Sequence, residues 1–107
     1  MSDFNAQTGT FIDVATARSM ASNYRSSNQN GTKSIFFGKD KIQAILDQEG
    51  CIGINFYLAH ENDKSGNPQV TLVLVGMDAQ ENDQITQNIL DVGARCPLKC
   101  PSGTVLQ

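Results

Sequence analysis

Cys51-Ile52-Gly53-Ile54-Asn55-Phe56-Tyr57-Leu58, answered further on by Val70-Thr71-Leu72-Val73-Leu74-Val75, decides the fold. In the first run Ile52, Ile54, Phe56 and Leu58 share one face and Gly53, Asn55 and Tyr57 the other. That period of two marks a strand with one well-buried side. The second run is apolar on both faces, which suits an inner strand or one that faces a partner subunit. The polar stretch from Glu61 to Pro68 is the turn between them. A hairpin over about 51–60 and 69–77 is therefore expected at the centre of a mainly antiparallel sheet.

Upstream the period lengthens. Val14, Ala17, Ala21 and Tyr24 recur at helical spacing with Met20 beside them, and Thr10 followed by Asp13 resembles a capping box. This predicts a helix near 11–27 with Arg18, Ser22 and Arg25 on its polar face. Ser26 to Gly31 ends it as a loop. Ser34-Ile35-Phe36-Phe37 reads as a short strand able to pair with either hairpin strand. Ile42, Ile45 and Leu46, with Gly50 placed to cap them, predict a second helix near 40–48. Downstream, Ile85, Ile89 and Val92 at i, i+4 and i+7, followed by Gly93, predict a third near 83–92. The expected fold class is α+β, a small single domain over 1–107 whose residues 94–107 form an irregular, cysteine-containing tail.

Composition supports a folded protein of one domain: 107 residues, 39% hydrophobic and 18% charged. No stretch approaches the roughly 18 apolar residues of a membrane span, so no membrane association is expected. The polar start, Met1-Ser2-Asp3-Phe4, lacks the basic and apolar regions of a secretory leader, which makes the cytoplasm the expected compartment. Residues 40 to 91 carry nine carboxylates against two lysines, while each flank carries a charge of +2. The reading is a solvated acidic face or one that meets a basic partner. No nucleic acid partner is expected, because Lys and Arg are nowhere clustered and Asp40 separates Lys39 from Lys41.

Phe36-Phe37-Gly38-Lys39-Asp40, then Cys51-Ile52-Gly53-Ile54, then Leu72-Val73-Leu74-Val75-Gly76-Met77-Asp78-Ala79, and finally Cys96-Pro97 to Cys100 resemble a family of short, uncharacterised bacterial proteins. The resemblance covers Ser34 to Pro101, and it implies no particular chemistry.

The residues that carry chemistry are the thiol pair Cys96 and Cys100. Their C-x₃-C spacing differs from the C-x₂-C knuckle that presents two thiolates to zinc, and a closed site needs two further ligands. Cys51 and His60, at opposite ends of one strand about 30 Å apart, cannot both supply them. A local disulfide is the second reading, with Pro97 starting the turn. Pro97, Pro101 and Gly103 leave no helix to lower a thiol pKa as in a thioredoxin-like site. The expectation is reduced thiols, with no metal and no cofactor.

Other constellations are incomplete. Glu61, Asp63, Ser65 and Gly66 begin a calcium-loop pattern, but Leu72 stands where a bidentate Glu is required. The match at Asp78, Gln80 and Asn82 meets Asp83 in place of Gly and Ile89 in place of Glu. His60 is the single histidine and no G-x-S-x-G elbow supplies a nucleophile. Gly50-Cys51-Ile52-Gly53 opens a strand rather than clamping nucleic acid between helices. The acidic residues lie in polar surroundings that raise no pKa. The chain is therefore read as a non-enzymatic protein-interaction module, with a protein partner or a second copy buried against strand 70–75 and Phe36, Phe37, Phe56 and Tyr57. A thiol-dependent redox or metal-binding protein acting through Cys96 and Cys100 is the alternative.

Overall fold

The computed structural model describes residues 2–28, 31–96, 100 and 102–103. Along the chain run α1 (Val14–Ser27), β1 (Ser34–Phe36), α2 (Lys39–Leu46), β2 (Cys51–Asn62), β3 (Pro68–Asp78), β4 (Ile89–Leu90) and β5 (Ala94–Cys96). The fold is α+β with antiparallel sheets. β2 and β3 form the central hairpin, and a three-stranded sheet has the order β2-β3-β4. β3 is thus the inner strand that its doubly apolar sequence calls for. No described helix is long and apolar enough to cross a membrane.

The residues gather into two compact units. One combines the N-terminal stretch to Gly9 with 37–59 and 72–92. Its core is Ile45 from α2 with Leu74 and Val75 from β3. α2 starts after Gly38, whose backbone is extended, and carries Asp40 in its first turn, where a carboxylate faces the positive end of the helix dipole. Beyond it Gly50, at φ +80°, turns the chain into β2, a conformation costly for a residue with a Cβ. β3 meets β4 in antiparallel register, Leu74 opposite Leu90 and Val75 opposite Ile89.

The other unit holds 10–36, 60–71 and the chain from 93. Here α1 is capped by Asp13, whose carboxylate accepts the Thr16 N–H at 2.8 Å. Hydrogen bonds from the Thr16 side chain and backbone hold the Asp13 carboxyl below its ordinary pKa. β1 pairs with β5, Ser34 opposite Cys96 and Phe36 opposite Ala94. Arg95 on β5 forms an ion pair with Glu61 at 2.9 Å. Thr32, Thr71 and Cys96 are buried in this unit.

Four expectations are corrected. The segment 83–92 is not a helix: Gln84 donates its N–H to Gly76 O at 2.8 Å, Asp83 bridges to Met77, and 89–90 is strand. Sheet pairing wins over the helical spacing of Ile85, Ile89 and Val92, all three of which are exposed. The stretch from Ala94 begins as a strand rather than irregularly, because β1 offers it an edge, and β1 consequently pairs with β5 and not with the hairpin. On β2 the apolar face is half-buried at Ile52 and Ile54 but exposed at Phe56 and Leu58. α1 buries no residue: Ala17, Ala21 and Arg25 form its half-buried stripe, while Val14, Met20 and Tyr24 are exposed.

The two segments that imitate calcium loops are instead one turn used twice. Asp63 N–H donates to Asn67 O, Gly66 N–H to Asp63 O, and the Asp63 carboxylate accepts from the Ser65 and Asn67 N–H groups. Asp78 repeats this bond for bond with Asn82, Glu81 and Gln80. The carboxylate of the opening Asp is spent on backbone donors. In both turns the fourth residue is left-handed, Gly66 at φ +84° and Glu81 at φ +68°. A glycine suits that position and a glutamate is strained there. Glu81→Gly should therefore raise the stability of the protein by about 0.5–1 kcal/mol in chemical denaturation, whereas Gly66→Glu should lower it; equal responses at the two positions would show that the turns are not equivalent.

Candidate functional site

Three side-chain groups merit description as sites. The first is the cysteine pair. β5 is held by β1, by the Lys33 N–H donating to Cys96 O at 2.7 Å and by the Arg95–Glu61 ion pair. This fixes Cys96 in the interior, 1% exposed. Cys100 is exposed and joined to it by a disulfide across a Cα–Cα distance of 4.6 Å, within the span such bonds allow. The expectation of reduced thiols is thereby corrected. Pro97 and Pro101, part of the argument from sequence, lie outside the described residues. Cys51 is free, half-buried, and donates to Gly53 O at 3.2 Å. Neither Cys51 nor the exposed His60 joins the pair in a metal site, since among the described residues no three His, Cys, Asp or Glu side chains gather around a common point.

The second is an amide clamp that the sequence does not announce. Gln48, just beyond α2, donates from Nε2 to Gln84 Oε1 at 2.9 Å, and Gln84 Nε2 donates to Glu49 O at 2.9 Å. Gln48 Oε1 accepts the Asn88 N–H at 2.8 Å. Both carboxamides lie over Gly76 on β3. A Cβ there would stand 2.4 Å from Gln84 Oε1, 2.9 Å from Gln48 Nε2 and 3.1 Å from Cys51 Sγ. Gln84 is buried and its amide is paired, so the clamp positions chain segments and presents no free group to a substrate.

The third lies on β2. Tyr57 donates its hydroxyl to Asp83 Oδ2, and Asn55 Nδ2 reaches Asp83 Oδ1 at 3.4 Å. The hydrogen bond to Asp83, then desolvation and the negative charge of Asp83, push the Tyr57 hydroxyl above its ordinary pKa. Next to it Phe56 and Leu58 are 53% and 80% exposed, and Tyr57 itself is 47% exposed. Successive strand residues point to opposite faces, so partly exposed side chains stand on both faces of the sheet at this point. At the start of the same strand a cleft of about 310 Å³ is lined by Phe4, Ala6, Ile52, Ile54, Met77 and small polar side chains. None of its lining residues is an acid, a base or a thiol, so the cleft offers packing surface without reactive chemistry.

Gly76→Ala should cost about 1–3 kcal/mol, since the new methyl must displace two amides that are already bonded. Full stability in that variant would mean that the clamp is slack. The Tyr57 phenol should titrate above the ordinary tyrosine value in an absorbance titration. The Tyr57 bond to Asp83 exists only while the phenol is protonated, so the stability it contributes is present below about pH 10 and lost as pH rises through the raised pKa; Tyr57→Phe should abolish that alkaline loss. No family model, curated protein or solved structure matches this chain.

Proposed function

We propose that this protein is a non-enzymatic interaction module that binds a second copy of itself through the outer edge of β2. One observation carries the reading: Phe56, Tyr57 and Leu58 are consecutive, exposed and apolar on a strand that ends the sheet order β2-β3-β4. An edge strand presents unpaired N–H and C=O groups, and proteins guard such edges with lysines, prolines or bulges. β2 carries neither lysine nor proline between Cys51 and Asn62.

The sequence of the edge favours its own copy. In an antiparallel pair centred on Phe56, Phe56 faces Phe56 of the second chain, Ile54 faces Leu58 and Ile52 faces His60. Side chains opposite each other lie on the same face, so the apolar set Ile54, Phe56 and Leu58 meets itself without an unlike neighbour. Aromatic and β-branched pairs of this kind contribute roughly 0.2–1 kcal/mol each beyond the main-chain bonds.

Sedimentation equilibrium over a concentration series tests this. The wild-type protein should form a dimer, and Leu58→Lys, which places a charge on a residue already exposed, should weaken dimerisation at least about tenfold while leaving the circular dichroism spectrum unchanged. A wild-type protein that stays monomeric up to several hundred micromolar, or a Leu58→Lys variant that dimerises as well as wild type, would remove β2 as the interface.

A further inference from the structure

The two sulfurs of the cysteine pair differ in a way that dictates chemistry. Thiol–disulfide exchange proceeds by attack of a thiolate on one sulfur while the other leaves, so access decides which bond forms. Cys96 is 1% exposed and Cys100 is exposed. An incoming thiolate reaches Cys100 and not Cys96. The buried sulfur is also the fixed one, since β5 is paired with β1 from Ser34↔Cys96 to Phe36↔Ala94, the Cys96 carbonyl accepts from Lys33 N–H at 2.7 Å, and the neighbouring Arg95 is bound to Glu61. None of these ties uses the disulfide. Opening it leaves Cys96 in place.

We infer that Cys100 is a reversible S-thiolation site for low-molecular-weight monothiols of the glutathione type, with Cys96 as its resolving thiol. In the first step the thiolate of the small thiol attacks Cys100 Sγ, the Cys96–Cys100 bond breaks, and Cys96 leaves as a thiolate that takes one proton from solvent. The product is a mixed disulfide on Cys100. Two outcomes follow. Cys96, deprotonated again, attacks Cys100 Sγ and expels the small thiol, which restores the clip. Alternatively, a second small thiolate attacks the sulfur of the first, giving the small-molecule disulfide and the Cys100 thiolate, so that two small thiols are oxidised and the protein disulfide is reduced by two electrons. In a cytoplasm, the compartment expected from the sequence, the glutathione pool supplies both thiols. Cys51 is half-buried, with its thiol donating to Gly53 O.

The two sulfurs separate analytically, because trypsin cuts after Arg95 and Lys99 and leaves Cys96 and Cys100 in different peptides. Protein purified without reductant is exposed to graded reduced glutathione, quenched in acid, blocked with N-ethylmaleimide and mapped by mass spectrometry. Glutathione should appear on Cys100 at least about tenfold more often than on Cys96, with maleimide on Cys96 in the same molecules. In Cys96→Ala, pre-loaded with oxidised glutathione, the Cys100 adduct should persist after the free glutathione is removed, whereas in wild type it should disappear as the clip re-forms. Adducts shared equally or found chiefly on Cys96 would overturn the inference. So would free thiols at both positions in the protein as purified, a bond untouched by excess glutathione, or a wild-type adduct as lasting as that of Cys96→Ala. The wild-type map needs no variant to fold.

Discussion

The constraint on which the unit around β3 depends is the pair of carboxamides seated on Gly76. Gln84 is tied three times over, by its backbone N–H to Gly76 O, by Oε1 to Gln48 and by Nε2 to Glu49 O. Gln48 in turn accepts from Asn88. These bonds bring together the end of α2, the C-terminal part of β3 and the segment that leads into β4. They also explain why a glycine interrupts an otherwise apolar strand: a side chain at 76 would occupy the volume of the amides. Buried amides cost desolvation and return it only when every polar atom is paired. Here both side chains bond to each other and to backbone, so the arrangement is specific to one register of the 83–90 segment against β3.

The same clamp separates what was legible in the sequence from what was not. The hairpin was readable because a period of two persists through Cys51 to Leu58 and because Val70 to Val75, apolar on both faces, has only one comfortable place in a sheet. The helices α1 and α2 were readable from spacing, with ends displaced by up to three residues, while their caps fall elsewhere: Asp13 rather than Thr10 caps α1, and the C-cap of α2 is Asp47, three residues before Gly50. The segment 83–92 misled because Ile85, Ile89 and Val92 satisfy a helical period while lying exposed, and the residues that decide its path are polar. Gln84 fixes one end of it. Val92, at φ +60°, closes the other in a conformation that β-branched residues rarely adopt. A pattern of apolar residues carries no information about an amide paired with a glutamine thirty-six positions earlier.

The repeated turn is legible in the sequence. Asp63-Lys64-Ser65-Gly66-Asn67 and Asp78-Ala79-Gln80-Glu81-Asn82 share Asp at the first position and Asn at the fifth, and in each the carboxylate accepts the N–H groups two and four residues on. Their resemblance to calcium loops has a physical origin, because both motifs place carboxylate oxygens inside a tight turn. The difference is what the oxygens meet. Backbone donors satisfy them here, which leaves the turns as ends of strands. The left-handed fourth position distinguishes the two copies, since Gly66 takes it freely and Glu81 does not.

For the cysteine pair, spacing alone left the thiol, metal and disulfide readings open, and what resolves them is the partner of β5. Once Ser34 lies opposite Cys96, the strand brings that sulfur into the interior and leaves Cys100 at the surface, 4.6 Å away between Cα atoms. The asymmetry in exposure belongs to no single residue: it follows from two three-residue strands pairing far apart in sequence. Short sheets of this kind contribute few main-chain bonds, and the disulfide, which joins Cys96 to a residue four positions on, adds no tie between the two strands. The same geometry therefore leaves the strand pair to hold Cys96 and makes the disulfide a bond that solvent reaches from one side, at Cys100.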